Sequence, residues 1–417
     1  MRIFTILIIT VVLAFADGES IVKYAAVIFR HGDRTPVEPY PTDPWKNESL
    51  WPVRFGQLTN LGIRQHYALG GMLRKRYSML ISEKFDPQEV YVRSTDVDRT
   101  LMSAQANLAG MYPPSGDAIW NPNLMWRPIP IHTLPETEDE VLAMKRNCDT
   151  YNVKKKAYIN TDEYKTRLSK FQGLMNLLTL YTGKKIEDYE DINEIYNTLL
   201  VESIHDFTLP KWAQLLYPDK LRGPSCYSFT TATATPIMAR LMTGPLLKEI
   251  VGKMNTVITK ENPNPLKLSI YSGHDFTIGN VLNAMGLYDG NCPVYTATIF
   301  FELMQEKSTM NYYVQMVYRN STGTAEPYIL DIPDCGQMCP FDRFVELYSN
   351  LVDVDWHTEC RYQIPWLTEA LFALEMLVLF FLLYTLYYMR VRAGEESKRR
   401  SQPVYTIPIK EDNNNLV

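Results

Sequence analysis

A histidine stands between two arginines in Phe29-Arg30-His31-Gly32-Asp33-Arg34-Thr35-Pro36. Neighbouring positive charges penalise the imidazolium, so His31 is expected to stay neutral, and therefore nucleophilic, at unusually low pH. Arg30 and Arg34 also offer planar forks that match phosphate oxygens. A second pair of titratable groups, His274-Asp275, follows Ser272-Gly273, and a charged block reads Arg93-Ser94-Thr95-Asp96-Val97-Asp98-Arg99-Thr100. The chain carries 6 histidines (His31, His66, His132, His205, His274 and His357), so a histidine nucleophile has few rivals. No HExxH or paired CxxC spacing suggests a metal site, and no cofactor is expected.

Such side chains need rigid ends to stand on. Tyr24 to Phe29 reads as a buried strand, broken by Gly32 and Pro36, which puts His31 on the turn leaving it. Glu89-Val90-Tyr91-Val92-Arg93 and Leu268-Ser269-Ile270-Tyr271 read as two more strands, ending near Arg93 and His274. In open α/β sheets, ligands bind at such strand ends. Thr59 is a plausible N-cap for a helix reaching about Leu80, with Leu61, Gln65, Leu69, Met72, Leu73 and Tyr77 at helical spacing. His66 falls off that stripe and reads as a surface residue. Asp98 to Leu108 reads as the next helix. Tyr295–Met304 and Tyr312–Tyr318 read as further strands, possible partners in a hairpin.

These blocks resemble the RHGxRxP signature of the histidine acid phosphatases, with Phe55-Gly56-Gln57-Leu58-Thr59 as a further shared segment. The resemblance spans Ile21 to Cys360 and is strongest to lysosomal, prostatic and testicular forms. It implies an α/β fold: a phosphoglycerate-mutase-like core sheet with flanking helices and a helical cap insertion. It implies hydrolysis of phosphate monoesters, on small molecules or phosphoproteins, through a phosphohistidine. His31 would be the nucleophile, Asp275 the proton donor, and Arg30, Arg34, Arg93 and His274 the phosphate ligands. Arginines in place of a metal imply metal independence, and Asp275 as an acid implies an acidic optimum. A homodimer is also implied. Glu202 and His205 resemble a family segment near the cleft, but His132, His205 and His357 sit in no motif and read as structural.

The ends of the chain have their own signals. Ile3 to Phe15 is apolar and Ala14-Phe15-Ala16 resembles a cleavage site, so residues 1–16 read as a signal peptide. Trp366 to Met389 is apolar except for Glu369 and Glu375 and is followed by Arg390, Arg392, Lys398, Arg399 and Arg400. That pattern reads as one transmembrane helix with a cytoplasmic tail, hence a type I membrane protein, lysosomal or at the cell surface. The tail, 390–417, reads as disordered. Its Tyr405-Thr406-Ile407-Pro408 differs from a tyrosine sorting signal in ending on proline. Between these ends the expected divisions are 17–131 (core), 132–253 (helical cap) and 254–362 (core).

Composition narrows the class. With 417 residues, 46% apolar, and a net charge of −5, the chain gives no reason to expect nucleic-acid binding. Its 6 cysteines suit disulfides in an oxidising compartment. The resemblance implies Cys335–Cys339 and Cys148–Cys360, which leaves Cys226 and Cys292. Here the chain departs from its relatives, which carry a cysteine where Val201 stands. Asn47-Glu48-Ser49 and Asn320-Ser321-Thr322 are sequons, marking Asn47 and Asn320 as candidate glycosylation sites. Two other functions compete: a phytase or sugar-phosphate phosphatase with the same pocket, and an inactive receptor-like ectodomain.

Overall fold

The computed structural model describes residues 20–323, 325–361 and 365–400. The expected signal peptide and Tyr405–Pro408 lie outside them. From Tyr24 onward β1 (Ser20–Arg30) is buried on both faces, and its period of two explains how. Tyr24, Ala26 and Ile28 enter one apolar cluster, while Ala25, Val27 and Phe29 enter another. The first helices, α1 (Asn60–Arg76) and α2 (Asp98–Met111), cover the second face, and β2 (Val90–Ser94) runs between them in the chain.

Seven helices follow β2 and α2: α3 (Asp149–Ile159), α4 (Asp162–Ser169), α5 (Gln172–Thr182), α6 (Tyr189–Ile204), α7 (Lys211–Leu216), α8 (Asp219–Thr231) and α9 (Pro236–Thr259). The expected cap boundary at Lys253 falls inside α9. That helix packs Leu246, Leu247, Ile250, Met254 and Val257 into the cluster on the first face of β1. α9 therefore belongs to the core as much as to the helical insertion.

The chain returns to the sheet with β3 (Leu268–Gly273), then α10 (Asp275–Ala284), β4 (Thr298–Glu306), β5 (Tyr312–Arg319), β6 (Tyr328–Ile329) and β7 (Cys339–Pro340). Strand order is β2-β3-β1-β4-β5-β6, with β7 also on β5. β1 and β2 both run parallel to β3, whereas β4 and β5 form the antiparallel hairpin expected at 295–318. The parallel trio releases three turns at one edge: after Arg30, after Ser94 and after Gly273. α11 (Phe341–Leu347), α12 (Ser349–Val352) and α13 (Trp356–Glu359) close the body. Disulfides join Cys148 to Cys360, Cys226 to Cys292 and Cys335 to Cys339.

α14 (Pro365–Arg400) is a separate unit. Its stretch Ala370–Arg400 is long and apolar enough to cross a membrane. The helix runs to Arg400, past the expected start of disorder at 390. Glu395/Arg399 and Glu396/Arg400 stand four apart, a spacing that supports helix in a charged segment.

α1 corrects one sequence expectation. Thr59 does cap it, accepting from the Gly62 amide. The buried stripe, however, is Gly62, His66, Leu69, Gly70 and Leu73, which puts His66 wholly inside. The glycines cause the rotation. A Cβ on Gly70 would lie 1.9 Å from the Asn107 carbonyl oxygen, and one on Gly110 would lie 2.0 Å from that of Tyr67. α1 and α2 therefore touch backbone to backbone along a face with few large apolar residues. Periodicity counted on such residues misses that face.

Candidate active site

Three strand ends assemble the site. β1 delivers Arg30 and His31, and the amide of His31 donates to the Gly273 carbonyl at the end of β3. Gly32 is required here. A Cβ would lie 2.5 Å from the Gly62 carbonyl oxygen, because the first turn of α1 presses on the loop. The Gly32 amide donates to Ser103 Oγ, and the Asp33 amide to Gln65 Oε1, so both helices fix the turn.

His31 is 2% exposed, and its Nδ1 lies 2.8 Å from the Gly32 carbonyl oxygen. A carbonyl can only accept, so Nδ1 carries the proton and Nε2 keeps its lone pair. Burial first, then Arg99, Arg30, His274 and Arg34, hold the imidazole well below its ordinary pKa. His274, the N-cap of α10, sits edge-on with its ring centroid 5.6 Å from that of His31. Thr95 Oγ1 lies 3.0 Å from its Nε2. Burial and the Arg99 charge lower His274 to about 3.

Arg30 is braced on three sides. Nη1 donates to the Pro293 carbonyl at 2.6 Å, Nη2 pairs with Asp275 Oδ2 at 2.8 Å, and the guanidinium lies 4.4 Å from the Tyr295 ring centroid. Burial raises the Asp275 pKa, but Arg30, His274 and Arg34 together outweigh it and leave the carboxyl below its ordinary range. Nε of Arg30, Arg34, Arg93 and Arg99 are all buried without a hydrogen-bond partner among the described residues, but only Arg93 has both of its terminal nitrogens against carboxylates. Buried donors without partners are costly, and donors on three mutually repelling guanidiniums call for an anion.

Arg93, expected to hold phosphate, is engaged elsewhere. Its Nη2 donates to Asp139 Oδ1 at 2.6 Å and its Nη1 lies 3.5 Å from Glu249 Oε2. Both carboxylates consume its charge, so it is a bracket between β2 and the segment entering the helical insertion. Arg99, six residues on at the start of α2, supplies the third guanidinium instead. Burial, then Arg34, lowers its pKa to about 10, as expected for a cation crowded by cations. The signal for Arg99 lay in the same sequence block: a residue on a helix's first turn points back over the strand end that precedes it. The other five expected residues, Arg30, His31, Arg34, His274 and Asp275, do come together.

Of the remaining histidines, His66 supports the site from beneath. Its Nε2 donates to the Arg30 carbonyl at 3.1 Å, and its ring packs on Phe29. Burial lowers its pKa to about 3. His205 reaches Asp33 Oδ2 at 2.9 Å. His132 stacks on Tyr91, and His357 packs against Trp356.

The model of the histidine phosphatase superfamily (branch 2) matches residues 21–319. The chain belongs to that superfamily. Prostatic acid phosphatase of Homo sapiens is 42% identical over 343 residues, covering 81% of this chain and 87% of its own length. Lysosomal acid phosphatase of Xenopus laevis is 40% identical over the same length, with 81% and 78% covered. Among solved structures, Hafnia alvei phytase in complex with tartrate superposes with a TM-score of 0.62 at 20% identity, over 83% of this chain and 100% of its own. At that identity the likeness establishes the histidine phosphatase fold alone.

Proposed function

We propose that this chain is an acid phosphatase that hydrolyses phosphate monoesters through a phosphohistidine on His31. The observation that carries this reading is the His31 tautomer: Nδ1 is tied to the Gly32 carbonyl, and Nε2 is free amid three guanidiniums. Nε2 attacks phosphorus, forming a P–N bond as the bond to the ester oxygen breaks. Asp275 gives its proton to that leaving oxygen. Water then attacks phosphorus, the P–N bond breaks, and the Asp275 carboxylate takes the water's proton. Arg30, Arg34 and Arg99 hold the phosphoryl oxygens, with His274 as a further ligand.

Asp275 presents a conflict, since its low pKa opposes a proton donor. Substrate reverses the sign. The arginines that depress Asp275 are those a phosphate dianion neutralises, so binding raises the carboxyl toward protonation. Acidic solution favours that state, while His31 remains neutral because burial, the largest cause of its low pKa, persists with substrate bound. The arginines supply the charge neutralisation that metals supply elsewhere, so the reaction proceeds without one.

α14 anchors the body to a membrane with the basic residues Arg390 to Arg400 on the cytoplasmic side, and the body lumenal or extracellular. Supporting this placement are three disulfides, an exposed Asn47 sequon, and lysosomal relatives. The test is p-nitrophenyl phosphate hydrolysis by the full chain in detergent across pH, with and without EDTA, beside His31→Ala. Chelator-resistant activity peaking in acid and abolished by the substitution is expected. Activity surviving in His31→Ala would refute the nucleophile.

A further inference from the structure

Behind the nucleophile's turn lies a second group of buried ionisable side chains that the chemistry does not use. Asp33, two residues after His31, is wholly buried, and its Oδ2 accepts from Thr59 Oγ1 at 2.5 Å and from His205 Nε2 at 2.9 Å. His205 is the C-cap of α6, so this bond ties the helical insertion to the catalytic turn. One turn earlier on α6, Glu202 is also wholly buried and meets Asp43, which is 1% exposed. Asp43 Oδ1 accepts from the Trp45 amide. Its Oδ2 and both Glu202 oxygens find no donor among the described residues. Two carboxylates cannot hydrogen-bond each other unless one carries a proton.

We infer that the end of α6 positions the catalytic turn through Asp33–His205 and through one proton shared by Asp43 and Glu202, so that loss of this proton loosens the site. The inference rests on the reading of His31 as nucleophile. Glu202 and His205 are thus positioning residues. The mechanical link is continuous. Trp51 packs on His205 and Phe207, Trp45 on Phe207, and Trp45 Nε1 donates to the Thr208 carbonyl. A few residues on, Thr35 Oγ1 donates to the Arg54 carbonyl, and Gly56 and Pro36 are bonded through their backbones. The loop gripping α6 therefore also lines the segment just past His31.

Few charges oppose the shared proton. From the 39–52 loop, Lys46 and the Tyr40 hydroxyl face the pair, while His205, three residues on from Glu202, is engaged by Asp33. Burial, then the Asp43 charge, pushes Glu202 up to about 9, and burial raises Asp43 as well. The sign follows. A carboxyl raised in the closed state keeps its proton there and loses it once exposed. Closure is thus strongest near or below the ordinary carboxyl value of 4.5 and weakens as pH rises from there toward 9. The opening constant grows by up to about tenfold per pH unit for one such proton. A neutral medium would slacken the catalytic turn, and an acidic one would tighten it.

Hydrogen exchange read by mass spectrometry on the full chain in detergent tests this. The reporters are residues 200–208, whose Phe207 amide bonds the Glu202 carbonyl, and residues 40–57. Wild type is compared with Glu202→Gln at each pH from 5 to 7.5, which cancels the intrinsic pH dependence of exchange. Wild-type protection is expected to fall relative to the variant by several-fold to tenfold per pH unit, and the ratio of kcat/KM to fall in parallel. A protection ratio independent of pH overturns the inference. Asp43→Asn removes the same proton from the other side and must behave alike. Loss of fold in both variants would also overturn it, because an amide preserves the hydrogen bond. Exchange needs no turnover: if His31→Ala retains activity while the exchange result holds, the phosphohistidine reading fails and the clasp stands.

Discussion

Arg99 and Arg93 offer a decisive pair of substitutions, because they share one sequence block and the structure gives them opposite work. Arg99→Ala removes one of three guanidiniums from the phosphate pocket. Losing one charge-directed donor to a transition-state oxygen lowers kcat/KM by about 10²–10³. It also removes the largest charge, after burial, that depresses both His31 and His274. Both pKa values then rise toward 6.5, so the acid limb of kcat/KM moves to higher pH. Burial still dominates, so the return is partial. Arg93→Ala instead strips the guanidinium from Asp139, a wholly buried carboxylate. Three backbone amides, of Val141, Leu142 and Ala143, still bind Asp139, which places the cost near the lower end for a broken buried pair, about 3 kcal/mol. Tm should fall by several degrees, with kcat/KM per folded molecule within a few-fold of wild type. The assay is a pH series of steady-state rates on both variants, normalised to folded protein by near-UV circular dichroism. A folded Arg93→Ala with activity down 100-fold, beside an Arg99→Ala with a near-normal rate, would refute the assignment.

Two further outcomes test the scaffold. Gly70→Ala puts a methyl 1.9 Å from the Asn107 carbonyl, so α1 must separate from α2, at a cost of about 1–3 kcal/mol read by thermal unfolding. An unchanged Tm would contradict the backbone contact. Tyr295→Leu removes the ring beneath Arg30, worth about 0.5–2 kcal/mol at a desolvated site, so kcat/KM per folded molecule should drop by roughly 3- to 30-fold, and Tm should fall because the ring is buried. An unchanged kcat/KM would mean that Pro293 and Asp275 suffice to orient the guanidinium.

How far the residues disclose the site depends on the range of the interactions that build it. The strand ends at Arg30 and Gly273 were legible because period two and a following glycine are local signals, and they carry four of the pocket residues with them. Arg93 was expected in the pocket because it too ends a strand. What separates it from Arg99 is the partner each meets, and Asp139 is 46 positions further on. His66 misled for a related reason. It is buried because Gly70 and Gly110 let two backbones meet, and a contact made by absent side chains leaves no apolar stripe. Glu202 and His205 are the deepest case. Their meaning lies in Asp43 and Asp33, 159 and 172 positions away across the join between insertion and core, and a carboxyl on a helix otherwise reads as a solvated face. Chemistry carried within one turn is therefore visible in the sequence, while the groups that contact that turn from elsewhere in the chain appear only once the chain has folded back on itself.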